Sequence, residues 1–153
     1  MTDLSANADF IFKDLLRAVY WFDESLQAHI KASGYPPMSR TKSLIMLNIA
    51  EGYERPIQIA ERVGLTRQAV HLALKELEID GFVSIGDDPD DRRAKRVFFS
   101  QDDQRDELRR FAREALARIE DVLAQRVGKK NFEVFRKVLV SDWGSHITPE
   151  TDT

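Results

Sequence analysis

Cysteine is absent from the 153 residues, which excludes disulfides, thiolate-ligated metals and thiol-based redox sensing. Glycine is sparse, seven residues scattered along the chain with no phosphate-cradling loop among them. The nucleophile elbow G-x-S-x-G and the metal-binding H-E-x-x-H are missing as well, so no enzymatic chemistry can be assigned. The three histidines, His29, His71 and His146, lie far apart in sequence, and neither a metal site nor a cofactor is expected. No apolar run approaches the roughly 18 residues of a membrane span. The opening MTDLSANADF carries no basic region ahead of an apolar one, so the expectation is a soluble, unexported, cytoplasmic chain with no membrane partner. A surplus of positive charge is lacking too: 23 Lys and Arg stand against 26 Asp and Glu, a net charge of −3. No global field therefore draws the chain toward nucleic acid.

What is present is organised around residues 57–100. Ile57, Ile59, Ala60 and Val63 give a short apolar helix, Gly64 breaks it, and Thr66 can cap the helix that follows. That is helix-turn-helix spacing. In the second helix Val70, Ala73, Leu74 and Leu77 fall at i, i+3, i+4 and i+7 and are expected to be buried. Arg67, Gln68, His71, Leu72 and Lys75 then face outward as a mainly polar surface that suits the major groove of DNA. After Asp80-Gly81 the period shortens. Phe82–Ile85 and Lys95–Phe99 are β-prone runs around the turn-forming segment Gly86-Asp87-Asp88-Pro89-Asp90-Asp91, which reads as a hairpin, or wing. Its acids lack the spacing of a calcium loop and are expected to form a solvated turn.

The two ends of the chain are helical. Ile11, Leu15, Val19, Phe22, Leu26 and Ile30 form a sustained stripe from Asp9 onward, widened by Phe12, Leu16 and Tyr20. This is more apolar surface than one small domain needs from a single helix, so part of it is expected to face another subunit. Gly34-Tyr35-Pro36-Pro37 ends that helix, and Ser39 or Thr41 opens a second one that Gly52 closes. Beyond the wing, Ser100 can cap a long helix, with Asp102 and Asp103 in its first turn and Leu108, Phe111, Ala115, Ile119, Val122 and Val127 as its stripe. After Gly128 a last helix carries Phe132, Phe135, Val138, Leu139 and Trp143. Residues 1–8 are polar and expected to be loose. The length suits one domain with a sizeable core, not two.

The segment from Leu77 to Ser100, above all DPDDRRAKRVFFS, resembles the wing signature of the MarR family of winged helix-turn-helix transcription regulators. The family pattern runs roughly E-x-x-G-hydrophobic-V, then D-P-x-D-R-R-x-x-x-V-x-L-T. Two departures stand out: Phe99-Ser100 replaces Leu-Thr, and Ser84-Ile85-Gly86 lacks the Arg that often follows the first wing strand. With the flanking helices the resemblance spans residues 9–140. It implies a mainly α fold with a small two-stranded β-wing, a winged helix-turn-helix part over 34–100, and dimerisation helices over 9–33 and 101–143. All of 1–153 would then form a single domain.

The resemblance also implies partners: double-stranded DNA, a second copy of the chain, and a small aromatic or phenolic ligand. Thr66 can combine capping with a phosphate contact, while Arg67 and Gln68 lie in the first helical turn, where bidentate contacts to guanine and adenine discriminate by roughly 1–3 kcal/mol. Lys75 suits a phosphate. His71 fits either an exposed polar residue or a base contact. In the wing, the resemblance implies that Arg93 reaches into the minor groove, that Asp91 holds its guanidinium, and that Arg92 supports it at the backbone; Lys95 is a further DNA-binding candidate. By themselves Asp91 and Arg93 fit a surface ion pair worth at most about 1 kcal/mol equally well. For a ligand cleft Trp21, Phe22, His29 and Met46 are candidates, although aromatics at helical spacing are usually core.

One objection is compositional. Between Thr66 and Ser100 six cations, Arg67, Lys75, Arg92, Arg93, Lys95 and Arg96, meet seven acids, Glu76, Glu78, Asp80, Asp87, Asp88, Asp90 and Asp91. DNA binding requires these signs to be segregated in space. The rival reading is a winged-helix protein-interaction module with no sequence-specific affinity for DNA.

Overall fold

The computed structural model describes residues 10–101 and 103–149. The expected loose residues 1–8, the helix start at Asp9 and the first-turn Asp102 lie outside the described residues. The element order is α1 (Ile11–Ala32), α2 (Arg40–Ala50), α3 (Pro56–Val63), α4 (Arg67–Ile79), β1 (Val83–Asp88), β2 (Asp91–Phe99), α5 (Asp103–Val127) and α6 (Lys129–Val140). Two compact units are present, one ending at Leu116 and the other beginning at Ala117.

Local chemistry sets the helix ends. Ser39 caps α2 by accepting from the Lys42 amide, and Thr66 caps α4 by accepting from the Ala69 amide at 3.1 Å. Proline opens α3, where its missing N–H costs nothing. Gly64 closes α3 at φ 67°, a left-handed turn that lets the chain reverse within three residues into α4. The helix-turn-helix therefore rests on one glycine and one threonine.

The core of the first unit is built by that motif. Ile45 and Ile49 from α2, Ile59 and Ala60 from α3, and Val70, Ala73, Leu74 and Leu77 from α4 pack with Phe82, Val83 and Val97 of the wing base and Leu108 of α5. Burying each large aliphatic side chain contributes about 1.5–3 kcal/mol. All four α4 residues that the spacing assigned to the inner face are buried.

The wing is longer than expected. β1 and β2 pair antiparallel from Val83↔Phe99 through Asp87↔Lys95 to Asp88↔Asp91, so the segment read as a six-residue turn is mostly strand, and only Pro89 and Asp90 separate the two strands. Asp88 accounts for the difference. Its carboxylate is buried, accepts the Asp90 amide at 2.9 Å, and takes Arg55 Nε at 2.6 Å. A solvated turn was expected there; an anchored strand end is found.

At its base the wing is tied to the loop between α2 and α3. The Val97 amide donates to the Glu54 carbonyl at 2.8 Å, and Arg96 Nε donates to the Glu54 carboxylate at 2.6 Å.

The helical stripes at the chain ends are only partly covered. In α1 just Leu26 and Ile30 are buried, while Ile11 and Phe12 are 76% and 77% exposed. In α6 no residue is buried; Val134, Val138 and Val140 are exposed. Trp143 lies beyond the end of α6, not within it, and its Nε1 donates to the Val138 carbonyl at 2.7 Å. Among the described residues no helix is long and apolar enough to cross a membrane.

Candidate nucleic-acid interface

Helix α4 offers its outward face intact. Thr66, Arg67, Gln68, His71, Leu72 and Lys75 are all exposed, opposite the buried Val70, Ala73, Leu74 and Leu77. Residues 68, 72 and 75 lie within about 60° of one another around the axis, at 100° per residue, and Leu77 lies on the far side. The sequence placed these side chains on one surface, and the structure brings them together there.

The wing presents its arginines through an irregularity. Between the pairs Asp87↔Lys95 and Asp88↔Asp91 the register shifts, which leaves Arg92, Arg93 and Ala94 as extra residues on β2. Such a bulge bends the strand and re-aims its side chains. Arg92 and Arg93 are both exposed there. Asp91 holds Arg93 in a way the resemblance did not imply: its Oδ1 accepts the Arg93 main-chain amide at 3.0 Å, and no bond to the guanidinium is present among the described residues. The short carboxylate satisfies the nearest unpaired N–H of the bulge, and the arginine head stays free.

The charge objection is answered by pairing. Every one of the seven acids has a partner. Glu76 and Asp80 share Lys42 of α2 at 3.0 and 3.4 Å, Glu78 accepts the Ile85 amide at 2.9 Å, and Asp87 takes Lys95 at 2.6 Å. Asp88 takes Arg55, Asp90 takes Arg96 at 3.4 Å, and Asp91 takes the Arg93 amide. Two of the six cations, Lys95 and Arg96, are used in these pairs. The side chains of Arg67, Lys75, Arg92 and Arg93 have no partner among the described residues. Five of the acids are thus ion-paired, with Lys42 and Arg55 from outside the segment helping to neutralise them, while Glu78 and Asp91 accept main-chain amides.

The pairs bias the charges in the expected sense. The bond from Glu76 to Lys42 raises the lysine above its ordinary value. Lys95 beside Asp87 lowers that carboxyl, the Asp90 amide and then Arg55 lower Asp88, and Glu54 raises Arg96. Arg55, Glu54 and Lys42 are structural partners of this segment that sequence reasoning missed. The one available signal was the unusual Asp-Asp-Pro-Asp-Asp density, which demands cations from elsewhere in the chain.

Of the residues nominated for a ligand, three lie on α1 and one on α2. Trp21 and Phe22 meet edge to face at 5.1 Å, His29 is exposed with Nδ1–H donating to the Ser25 carbonyl at 2.7 Å, and Met46 packs on the core. None of the four lines the cavity of about 240 Å3 between α1, α2 and the helix-turn-helix, whose walls include Leu16, Leu44 and Leu65. Beside that cavity the Arg40 guanidinium lies 4.0 Å from the centre of the Tyr20 ring. No group of three metal-ligating side chains occurs among the described residues.

Comparison with known proteins agrees with this geometry. Residues 38–94, from the approach to α2 through the wing bulge, match the MarR family model. No curated protein matches the chain by sequence. Among solved structures, the transcriptional regulator PA4135 is similar at 16% identity and TM-score 0.68, over 85% of this chain and 93% of its own. NadR in complex with 4-hydroxyphenylacetate is similar at 15% identity and TM-score 0.66, over 88% and 93%. A point variant of MarR from E. coli follows at 13% identity and TM-score 0.64, over 87% and 96%. At such identities these likenesses are likenesses of fold. The sequence match covers the helix-turn-helix and most of the wing, so that part of the chain is similar to the MarR family, and the solved structures share its fold.

Proposed function

We propose that the chain acts as a homodimeric cytoplasmic repressor of transcription at a pseudo-palindromic operator. The single observation that carries this reading is the pattern of pairing: five of the seven acids of the reading segment are ion-paired, while the side chains of Arg67, Lys75, Arg92 and Arg93 have no partner among the described residues. In this reading α4 enters the major groove with Arg67, Gln68 and His71 toward base edges, Thr66 and Lys75 toward phosphates, and the wing sets Arg92 and Arg93 at the adjacent minor groove with Lys95 in support. An arginine there favours narrow, A·T-rich flanks. The exposed apolar faces of α1 and α6 support assignment of 9–33 and 101–143 to the contact between subunits, with 34–100 as the DNA-binding part.

The effector in this reading is a small aromatic or phenolic anion that relieves repression. NadR is solved with a ligand of that class. Trp21, Phe22, His29 and Met46 are the proposed contacts.

Gel shifts on duplexes selected from a random pool, run at increasing salt, test the central claim. A steep loss of affinity with salt is expected from counterion release. Absence of any duplex binding at low salt would instead favour the protein-interaction module.

A further inference from the structure

Leu72 is out of place on the face described above. It sits in the middle of α4 and is 62% exposed, with the buried stripe on the opposite side of the helix. Its neighbours on the outward face are Gln68 one turn before, His71 beside it and Lys75 one turn after, and among the described residues the side chains of these three have no partner. An aliphatic side chain bordered by free polar and cationic groups fits a target that is anionic overall and carries an isolated apolar group. In duplex DNA the major-groove edge offers one such group, the C5-methyl of thymine.

We infer that Leu72 is a specificity-determining residue that packs on a thymine methyl in each operator half-site. The inference rests on the DNA-binding reading and deepens it. Gln68 and Leu72 are separated by about 6 Å of helix rise, four residues at about 1.5 Å each. That span is close to two base-pair steps of about 3.4 Å, so along the groove the two side chains address base pairs about two apart. Gln68 can hold the adenine of one A·T pair through its N6 and N7 edge, while Leu72 takes the thymine methyl of a nearby pair. The half-site read by the middle of α4 is therefore A·T-containing, and its recognition depends on the methyl group itself. Lys75 is placed to anchor the helix on the phosphates without sequence preference.

The experiment uses the full chain and a duplex selected from a random pool, prepared in parallel with thymine and with uracil, which differ only by that methyl. The unsubstituted protein is expected to bind the uracil duplex roughly tenfold to twentyfold more weakly, the loss of about one buried methyl in each of two half-sites. Leu72→Ala is expected to reduce this difference to below about twofold while keeping the helical content and melting temperature of the parent, since the side chain packs on nothing buried. The variant also controls for any change in duplex shape caused by uracil, which would persist without the leucine. Equal binding of the two duplexes by the unsubstituted protein, or a full methyl preference retained by Leu72→Ala, overturns the inference and leaves DNA binding standing. Failure to bind either duplex at low salt overturns both.

Discussion

Arg55 Nε donates to Asp88 Oδ2 at 2.6 Å, joining the first residue before α3 to the last residue of β1 across 33 positions of sequence. Arg96 approaches the same carboxylate at 3.9 Å, and the Asp90 amide binds it from within the turn. One buried acid thus holds the tip of the wing, its second strand and the entry to the helix-turn-helix.

Acid should loosen the wing first. Asp88 and Asp87 are both held below the ordinary carboxyl value, so their stabilisation is complete above about pH 4, the unfolded value, and is lost as pH falls through the lowered folded values. Melting temperature measured from pH 7 to pH 3 should fall in that window. Asp88→Asn should melt several degrees lower at pH 7 and show a flatter decline with acid. An unchanged melting temperature at pH 7 would remove Asp88 from its anchoring role.

Arg93→Ala should weaken binding to a selected duplex by well over tenfold, read by fluorescence anisotropy, with the dimer intact by sedimentation. Lys75→Ala should instead weaken binding to all duplexes about uniformly and lower the magnitude of the salt slope by about one. Equal effects on selected and random duplexes for both variants would deny the wing any part in choosing the site.

Thr66→Ala removes the cap of α4 and should cost about 1 kcal/mol in urea unfolding, while Thr66→Ser should cost little. Leu74, fully buried behind the reading face, should cost about 2–5 kcal/mol when changed to alanine. The contrast between the two separates local helix capping from core packing.

Phe12→Glu and Val138→Glu place charge on exposed apolar faces of α1 and α6. Equilibrium sedimentation should show a shift from dimer toward monomer, and the affinity for a two-half-site duplex should fall with it. A parent chain that sediments as a monomer at micromolar concentration would remove the basis for a palindromic site.

Titration with 4-hydroxyphenylacetate should quench Trp21. The chain has two tryptophans, so Trp143→Phe leaves Trp21 as the only reporter. No change in emission at millimolar ligand would count against this ligand class.

The sequence carried the local parts of this fold openly. Gly64, Thr66 and the i, i+3, i+4, i+7 spacing from Val70 to Leu77 located the helix-turn-helix, because each acts within a turn or two of itself. The wing was placed but cut short. Gly86 to Asp91 has the composition of a turn, and only the long-range pair with Arg55 turns Asp88 into a buried strand residue. For the same reason the charge balance of residues 66–100 misled: its acids are neutralised partly by Lys42, which lies far outside that window. The reverse case is Asp91, where the family pattern implied a grip on the guanidinium and the nearer main-chain amide took the carboxylate instead.

The bond from the Val97 amide to the Glu54 carbonyl gives the hairpin a third attachment through main chain alone. With Arg96 on the Glu54 side chain, it ties the hairpin to the entry of the helix-turn-helix within one chain. Substitutions at the tip can then alter grip without altering reach. In the proposed dimer, tolerance for half-sites set closer or farther apart then comes from the joint between the two copies, and an effector that works by spacing acts on that joint.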